Sequence, residues 1–517
     1  MKNLIIFHYH FLPGGVTDVV TSAAISYLNH SKMIGKITIV SGRQKNLENI
    51  TSKIRKSLRR NSKKSICHEV LPSIDYLENL SDGITTETIK YEILERYASE
   101  DNIWWIHNYH LGKNPYLTKA LIEIAENRKQ NMVFHIHDFP ECSRYALLKR
   151  LKDVIKGDLY PRTANVHYAV INSRDFHFLT EAGIEKELIT LLENPIKPVI
   201  IQSDRKKDTY AKLSGSIADS FPGWRKKEPY MLYPVRAIRR KNIAEAALIS
   251  SLTDKNIIIT LPGVSEAEKA YSNSCKEIFT SGLAPGMFGI GFEMENYDIS
   301  FDELIGSSSV IVSSSVQEGF GYLFLNSMNW GKPLFARDLD ILTSFKKSFK
   351  NFPSHFYHYF SVPLESNESE ILQSEYFFKL KALQSELDEE KLEELQQLFA
   401  GILDSPEIDF SYLTLDLQIS VLKRISVDCA YREKCINLNR ANINIINDYF
   451  ELDISPNHKI LEKNWSFASY CIKTDKILQK FDKSPICLNR EKRKKPIFET
   501  MQFYFTTPDY FRLLYDE

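Results

Sequence analysis

Short runs of apolar residues recur along the first 340 positions, and between them apolar residues return every three or four positions. Residues 4–10, 36–41, 103–109, 132–139 and 166–171 are apolar nearly throughout and predict strands, whereas 17–28 and 116–127 carry a helical period. Strands without polar alternation are covered on both faces, as in a parallel sheet flanked by helices, and their alternation with helices implies βαβ units. The polar stretch Ser203-Asp204-Arg205-Lys206-Lys207-Asp208 has no period and reads as a linker. The alternation then restarts. Residues 230–235, 256–261, 288–292, 310–315 and 333–336 predict five more strands, and Ser300 with Glu303 predicts a capping box before Leu304. The expected fold is α/β: a domain over 1–210 and a second over 211–440, both Rossmann-like, facing each other across a cleft. An acidic stretch, 366–399, predicts a helical insertion near 360–400 with an apolar stripe of Leu387, Leu392, Leu395 and Leu398. Residues 415–446 predict another helical stretch. The segment 441–517 is expected to be helical and to return to the N-terminal domain.

Composition narrows the function classes. The chain has 517 residues, 43% of them hydrophobic, enough for two cores. Lys+Arg and Asp+Glu both number 66, so no charge imbalance points to nucleic acid as a partner. The N-terminal apolar run stops at His8, short of a secretory signal, and no run of 18 apolar residues predicts a membrane span. The seven cysteines lack a CxxC pair, so neither a disulfide framework nor a zinc site is expected, and a cytoplasmic protein is. The segment Lys53–Lys64 holds seven basic residues and no acid. Its plain reading is a solvated surface; its functional readings are contact with an anionic acceptor, with nucleic acid, or, as expected here, a weak contact with an anionic membrane that makes the protein peripheral to it. The basic cluster Arg490–Lys495 carries the same readings.

Candidate chemistry lies at the strand ends. The first strand runs into His8-Tyr9-His10-Phe11-Leu12-Pro13-Gly14-Gly15-Val16 before a helix. In doubly wound sheets ligands sit at the carboxyl ends of strands, and a glycine turn before a helix lets backbone approach an anion. In the second half, Arg236 and Lys241 follow the first strand, where two fixed cations can hold a diphosphate. Farther on, Gln317-Glu318-Gly319-Phe320-Gly321 follows a strand and opens a helix, with Gly331-Lys332-Pro333 leading into the next strand. A carboxylate there can accept from sugar hydroxyls, and the Gly319, Phe320 and Gly321 amides can meet phosphate. Three strand ends carry paired histidines: His8 and His10, His107 and His110, His135 and His137. They predict a polar rim with no diagnostic metal spacing, so no metal is expected.

Together these motifs resemble the retaining GT-B glycosyltransferases, and glycosyltransferase family 4 in particular. Pro13-Gly14-Gly15-Val16 resembles the family's N-terminal glycine loop, near donor phosphate and acceptor. His137-Asp138 resembles its His-Asp strand end, whose histidine lies near the donor sugar. Asn172-Ser173 and Glu193-Asn194-Pro195-Ile196 match two further landmarks. Arg236 and Lys241 match the diphosphate-binding pair, Glu318-Gly319-Phe320-Gly321 the start of the Glu-x7-Glu motif, and Gly331-Lys332-Pro333-Leu334 its usual ending. The resemblance spans about residues 1–340. One position departs from it: the second glutamate, which binds the nucleotide ribose in the family, is Asn326 here, eight residues or two helical turns beyond Glu318.

The resemblance implies a metal-independent hexosyltransferase that needs no cofactor, since the nucleotide-sugar donor is a substrate. Glu318, Arg236, Lys241 and His137 would carry the chemistry. Gly14, Gly15, Gly319, Phe320, Gly321 and Asn326 would join them around the donor, with His10, His107 and His110 toward an unidentified acceptor. Two rivals use the same scaffold: a glycoside phosphorylase or nucleotide-sugar epimerase, kept open by Asn326, and a non-catalytic sugar- or nucleotide-binding module.

Overall fold

The computed structural model describes residues 1–59, 62–127, 130–199, 201, 206–383, 387, 389–482 and 497–515. The chain forms two compact units, one of Met1–Lys197 with Glu462–Phe505, the other of Pro198–Leu461 with Thr506–Glu517.

The first unit is built on seven parallel strands: β1 (Lys2–His8), β2 (Ile34–Ser41), β3 (Ser65–Val70), β4 (Asn102–His107), β5 (Met132–Ile136), β6 (Val166–Val170) and β7 (Ile189–Leu191), in the order 3-2-1-4-5-6-7. β4 to β6 are buried along almost their whole length, as their apolar sequence requires. The chain order reverses between β1 and β4, so the crevice outside their carboxyl ends is the place where this topology admits ligands. Helix Phe467–Phe481 packs on helix Gly15–His30: the Tyr27 and Tyr470 rings stack 5.8 Å apart, and Ser31 Oγ donates to Asp475 at 2.5 Å.

The second unit repeats the plan with β8 (Tyr230–Arg236), β9 (Asn256–Leu261), β10 (Gly286–Phe288), β11 (Val310–Ser313), β12 (Leu334–Arg337) and β13 (Ser354–Tyr357), parallel in the order 10-9-8-11-12-13, with its switch point between β8 and β11. A small antiparallel pair, β14 (Ser361–Pro363) and β15 (Glu407–Asp409), brackets the helical insertion. Arg337 ties that insertion to the sheet. Its Nη1 and Nη2 donate to Asp409 at 2.9 Å each, its Nη2 to Glu245 at 2.6 Å, and Tyr357 Oη to Glu245 at 2.8 Å.

Several expectations shift for physical reasons. The strand placed at 288–292 is Gly286–Phe288, because Gly289 turns to φ 79° and Ile290–Phe292 makes a 3₁₀ turn. The stretch 366–399 is two helices, Ser366–Ala382 and Glu389–Leu403, and Leu398 is 45% exposed while Phe399 takes its place inside. The stretch 415–446 is three helices, divided where Asp428 caps helix Cys429–Leu438 and Asn439 precedes Arg440–Phe450. The Ser300–Glu303 capping box forms as expected. Of the basic segment, Lys53, Arg55 and Lys56 end helix Leu47–Lys56, and Lys64 turns inward to donate to the carbonyls of Tyr27 and Ser31. Arg490–Lys495 lies outside the described residues. Among the described residues no helix is long and apolar enough to cross a membrane.

Candidate functional site

In the second unit the ends of β8 and β11 build one polar centre. Three hydroxyls hold the turn after β8 against β11: Tyr233 Oη donates to Lys241 O at 3.0 Å, and Ser314 Oγ reaches Lys241 O at 3.1 Å and Asn242 O at 2.9 Å. Tyr233 also meets Ser315 Oγ at 2.7 Å, and Val316 N–H donates to Arg240 O at 3.0 Å. Asn242 takes φ 46°, its side-chain amide donating to Glu245 at 2.7 Å, and starts helix Ile243–Thr253. This frame delivers Lys241 to Glu318, and the two form an ion pair with side chains 13% and 11% exposed. Burial opposes the charge on Glu318, but Lys241 and Arg240 outweigh it and hold the carboxyl below its usual range. Burial also draws the Lys241 ammonium down, with Glu318 working against it. Beyond Glu318, Gly321 adopts φ 87°, where a Cβ would strike Phe324 at 2.5 Å, and so starts helix Tyr322–Trp330. The Phe320 side chain points into the core against Phe345, which leaves backbone at the turn.

The first unit gathers its histidines at the ends of β1, β4 and β5. Asn108, buried at φ 51°, donates its backbone N–H to His135 O at 3.0 Å, and its Oδ1 accepts from the His137 backbone N–H at 2.8 Å. His107 Nδ1 and His137 Nε2 share a hydrogen bond of 2.8 Å, and ligand atoms of His107, His135 and His137 all lie within 4.8 Å of one another. A cation there would need three lone pairs. The hydrogen bonds oppose this: Trp105 Nε1–H donates to His135 Nδ1 at 3.1 Å, so the neutral ring carries its hydrogen on Nε2, and a proton already occupies the His107–His137 contact. Burial lowers every one of these imidazoles, His137 to about 4 and His8 to about 3, so the rim is neutral at pH 7. His110 is fully buried among Tyr109, Phe139 and Tyr160. His10 is only half-buried and meets Tyr76 Oη at 2.9 Å. Gly14 is extended and Gly15 begins helix Gly15–His30; both are exposed, and a Cβ on Gly15 would stand in open space. Packing therefore does not require glycine there, and bare backbone faces solvent.

The chain is 32% identical over 432 residues to the mannosylglucosyl-3-phosphoglycerate synthase of Petrotoga mobilis, spanning 81% of this chain and 80% of that one. It belongs to that protein's family and is a glycosyltransferase. No family model matches it. Its fold is shared with the Anabaena protein HepE, solved in complex with UDP and glucose: the TM-score is 0.50 at 10% identity, covering 93% of this chain and all of that one. The two Rossmann-like units are those of the GT-B fold.

Within the glycosyltransferase, the expected site residues are not equally placed. Lys241 and Glu318 are joined directly, whereas Arg236 is half exposed and faces Glu268 at 3.8 Å. Asn326 is half-buried on helix Tyr322–Trp330 and accepts from Asn329 Nδ2 at 3.4 Å. That helix begins only at Tyr322, so the two-turn spacing inferred from Glu318 to Asn326 does not hold; Glu318 sits in the turn before it. Sequence reasoning passed over Arg240, Ser315 and Tyr233, which the basic run and the serine triplet after β11 could have signalled.

Proposed function

We propose that this glycosyltransferase moves a hexose from a nucleotide-sugar donor onto an acceptor bearing a phosphoglycerate, with retention of anomeric configuration. The observation that carries the reading is the buried Lys241–Glu318 pair at the switch point of the second sheet, beside the Gly319–Gly321 turn. Lys241 and Arg236 would meet the diphosphate, whose charge grows as the sugar leaves, and the amides opening helix Tyr322–Trp330 would face its oxygens. Glu318, held ionised, would accept hydrogen bonds from the sugar hydroxyls. His137, neutral and hydrogen-bonded to His107, would orient the sugar, and Gly14–Gly15 would let backbone approach the reacting groups. The acceptor attacks the face that the diphosphate leaves, so the protein contributes position and charge stabilisation. The donor class is supported by the UDP and glucose bound in the Anabaena protein, and the acceptor class by the product named for the Petrotoga relative. Proton NMR of a product made from an α-linked nucleotide sugar tests the stereochemistry. An α-linked product is expected; a β-linked product would overturn the retaining mechanism.

A further inference from the structure

An acceptor that carries a phosphate needs fixed cations and hydrogen-bond donors, and the first unit collects them beside the histidine rim. The segment after β3 is held against the ends of β2 and β4 by close backbone contacts. A Cβ on Gly42 would meet Asp75 at 2.5 Å, so only glycine lets the chain leaving β2 run this close. Asn114 Nδ2 donates to Ser73 O at 3.1 Å and Asp75 O at 2.8 Å, and Leu77 N–H to Lys113 O at 2.7 Å. These contacts bring Tyr76 between three strand ends. The Arg43 guanidinium carbon and the Lys113 ammonium lie 5.4 and 5.3 Å from its ring centroid.

The polar groups are aimed as well as gathered. Arg43 Nε donates to both carboxylate oxygens of Asp75, at 2.9 and 2.7 Å, which fixes the guanidinium and keeps its two Nη groups outside that pair. Leu12 N–H donates to His10 Nδ1 at 3.3 Å, so neutral His10 carries its hydrogen on Nε2 and donates to Tyr76 Oη at 2.9 Å. The Tyr76 hydroxyl hydrogen is then directed elsewhere, and it has no acceptor among the described residues. Arg144, about one-third exposed, lies within electrostatic reach of Tyr76. The neighbouring carboxylates Asp75, Asp138 and Glu78 face Arg43, Arg144 and Arg150, and Lys113 acts on Glu78 as well.

We infer that Arg43, Tyr76 and Lys113, with Arg144 at the margin, form the pocket for the phosphate of the acceptor. A guanidinium fork grips two phosphate oxygens, an ammonium adds a point charge, and the phenol donates to a third oxygen. The inference rests on the acceptor class proposed above and adds the residues that read it.

The probes are 3-phosphoglycerate and its phosphate-free counterpart, glycerate, titrated into the full chain by calorimetry with UDP or GDP present. Binding of 3-phosphoglycerate and not of glycerate is expected. Tyr76→Phe and Lys113→Gln should each weaken it about tenfold or more, the loss typical of a hydrogen bond to a charged group. Arg43→Lys, which keeps the charge beside Asp75 but removes the fork, should weaken it as well and serves if either of the other variants melts early. Unchanged affinity in the folded variants, or equal binding of glycerate, would overturn the inference. Hydrolysis of a nucleotide sugar by the wild-type chain, measured without acceptor, separates the two readings. If every donor stays intact while 3-phosphoglycerate binds through these residues, the transfer reading falls and the anion pocket stands.

Discussion

Lys241 and Glu318 are each other's counter-charge, so a ligand that takes the lysine must also satisfy the carboxylate. The proposed nucleotide sugar would do both, with phosphate for Lys241 and hydroxyls for Glu318. Lys241→Ala should therefore slow transfer by about 2.7–4 kcal/mol, roughly a hundred- to a thousandfold, the cost of losing one preorganised partner of growing charge. Steady-state rates, with circular dichroism to verify the fold, check this. Arg236, half exposed, should matter for diphosphate binding with almost no effect on stability, so Arg236→Ala should raise the donor KM while leaving Tm nearly unchanged. Asn326 lies on helix Tyr322–Trp330, which the Gly319–Gly321 turn opens. If it faces the ribose, Asn326→Glu should preserve or tighten nucleotide binding, since a carboxylate makes the stronger hydrogen bond to a hydroxyl. A clear rise in the dissociation constant would reject ribose contact at this position. Glu141 offers a pH signature. Burial pushes its carboxyl up to about 7 while Tyr160 hydrogen-bonds it. An acid raised in the fold binds more protons folded than unfolded, so its contribution to stability falls as pH rises from about 4.5 to about 7. Glu141→Gln should remove that dependence, up to about 3 kcal/mol across the interval, as read from urea unfolding at several pH values.

At the scale of elements, the strands with both faces covered were legible because most of their buried positions are apolar, and β9 matches its expected bounds. β3, Ser-Ile-Cys-His-Glu-Val, was not legible: it is an edge strand, only Ile66 of it is fully buried, and its composition follows. β13 is an edge strand too, Ser354 to Phe356 only half-buried. The candidate site divides in the same way. Lys241 and Glu318 stand at strand ends, a position the alternation of elements predicts, whereas Arg43, Tyr76 and Lys113 meet through contacts far apart in sequence that no local pattern encodes. The helical insertion depends on such a distant contact as well. Arg337 bridges Glu245 and Asp409 where all three side chains are nearly inaccessible. Arg337→Ala should cost about 3–5 kcal/mol, because it leaves two buried carboxylates without their cation. A guanidinium chloride midpoint close to that of the wild type would show that the network can relax.

For the whole molecule, the two parallel sheets repeat one order of strands, and each unit carries its candidate residues beyond the carboxyl ends of its strands. The proposal assigns the donor chemistry to the second unit and the anion pocket to the first, so it requires that donor turnover depend on Lys241 and that an acceptor stimulate it. The most direct measurement is release of free nucleotide from UDP- and GDP-hexoses, with and without an acceptor bearing a phosphoglycerate, for the wild type and Lys241→Ala. The account predicts slow release without acceptor, a marked stimulation when acceptor is added, and loss of both in the variant. Release that ignores the acceptor, or that proceeds equally well in Lys241→Ala, would contradict it.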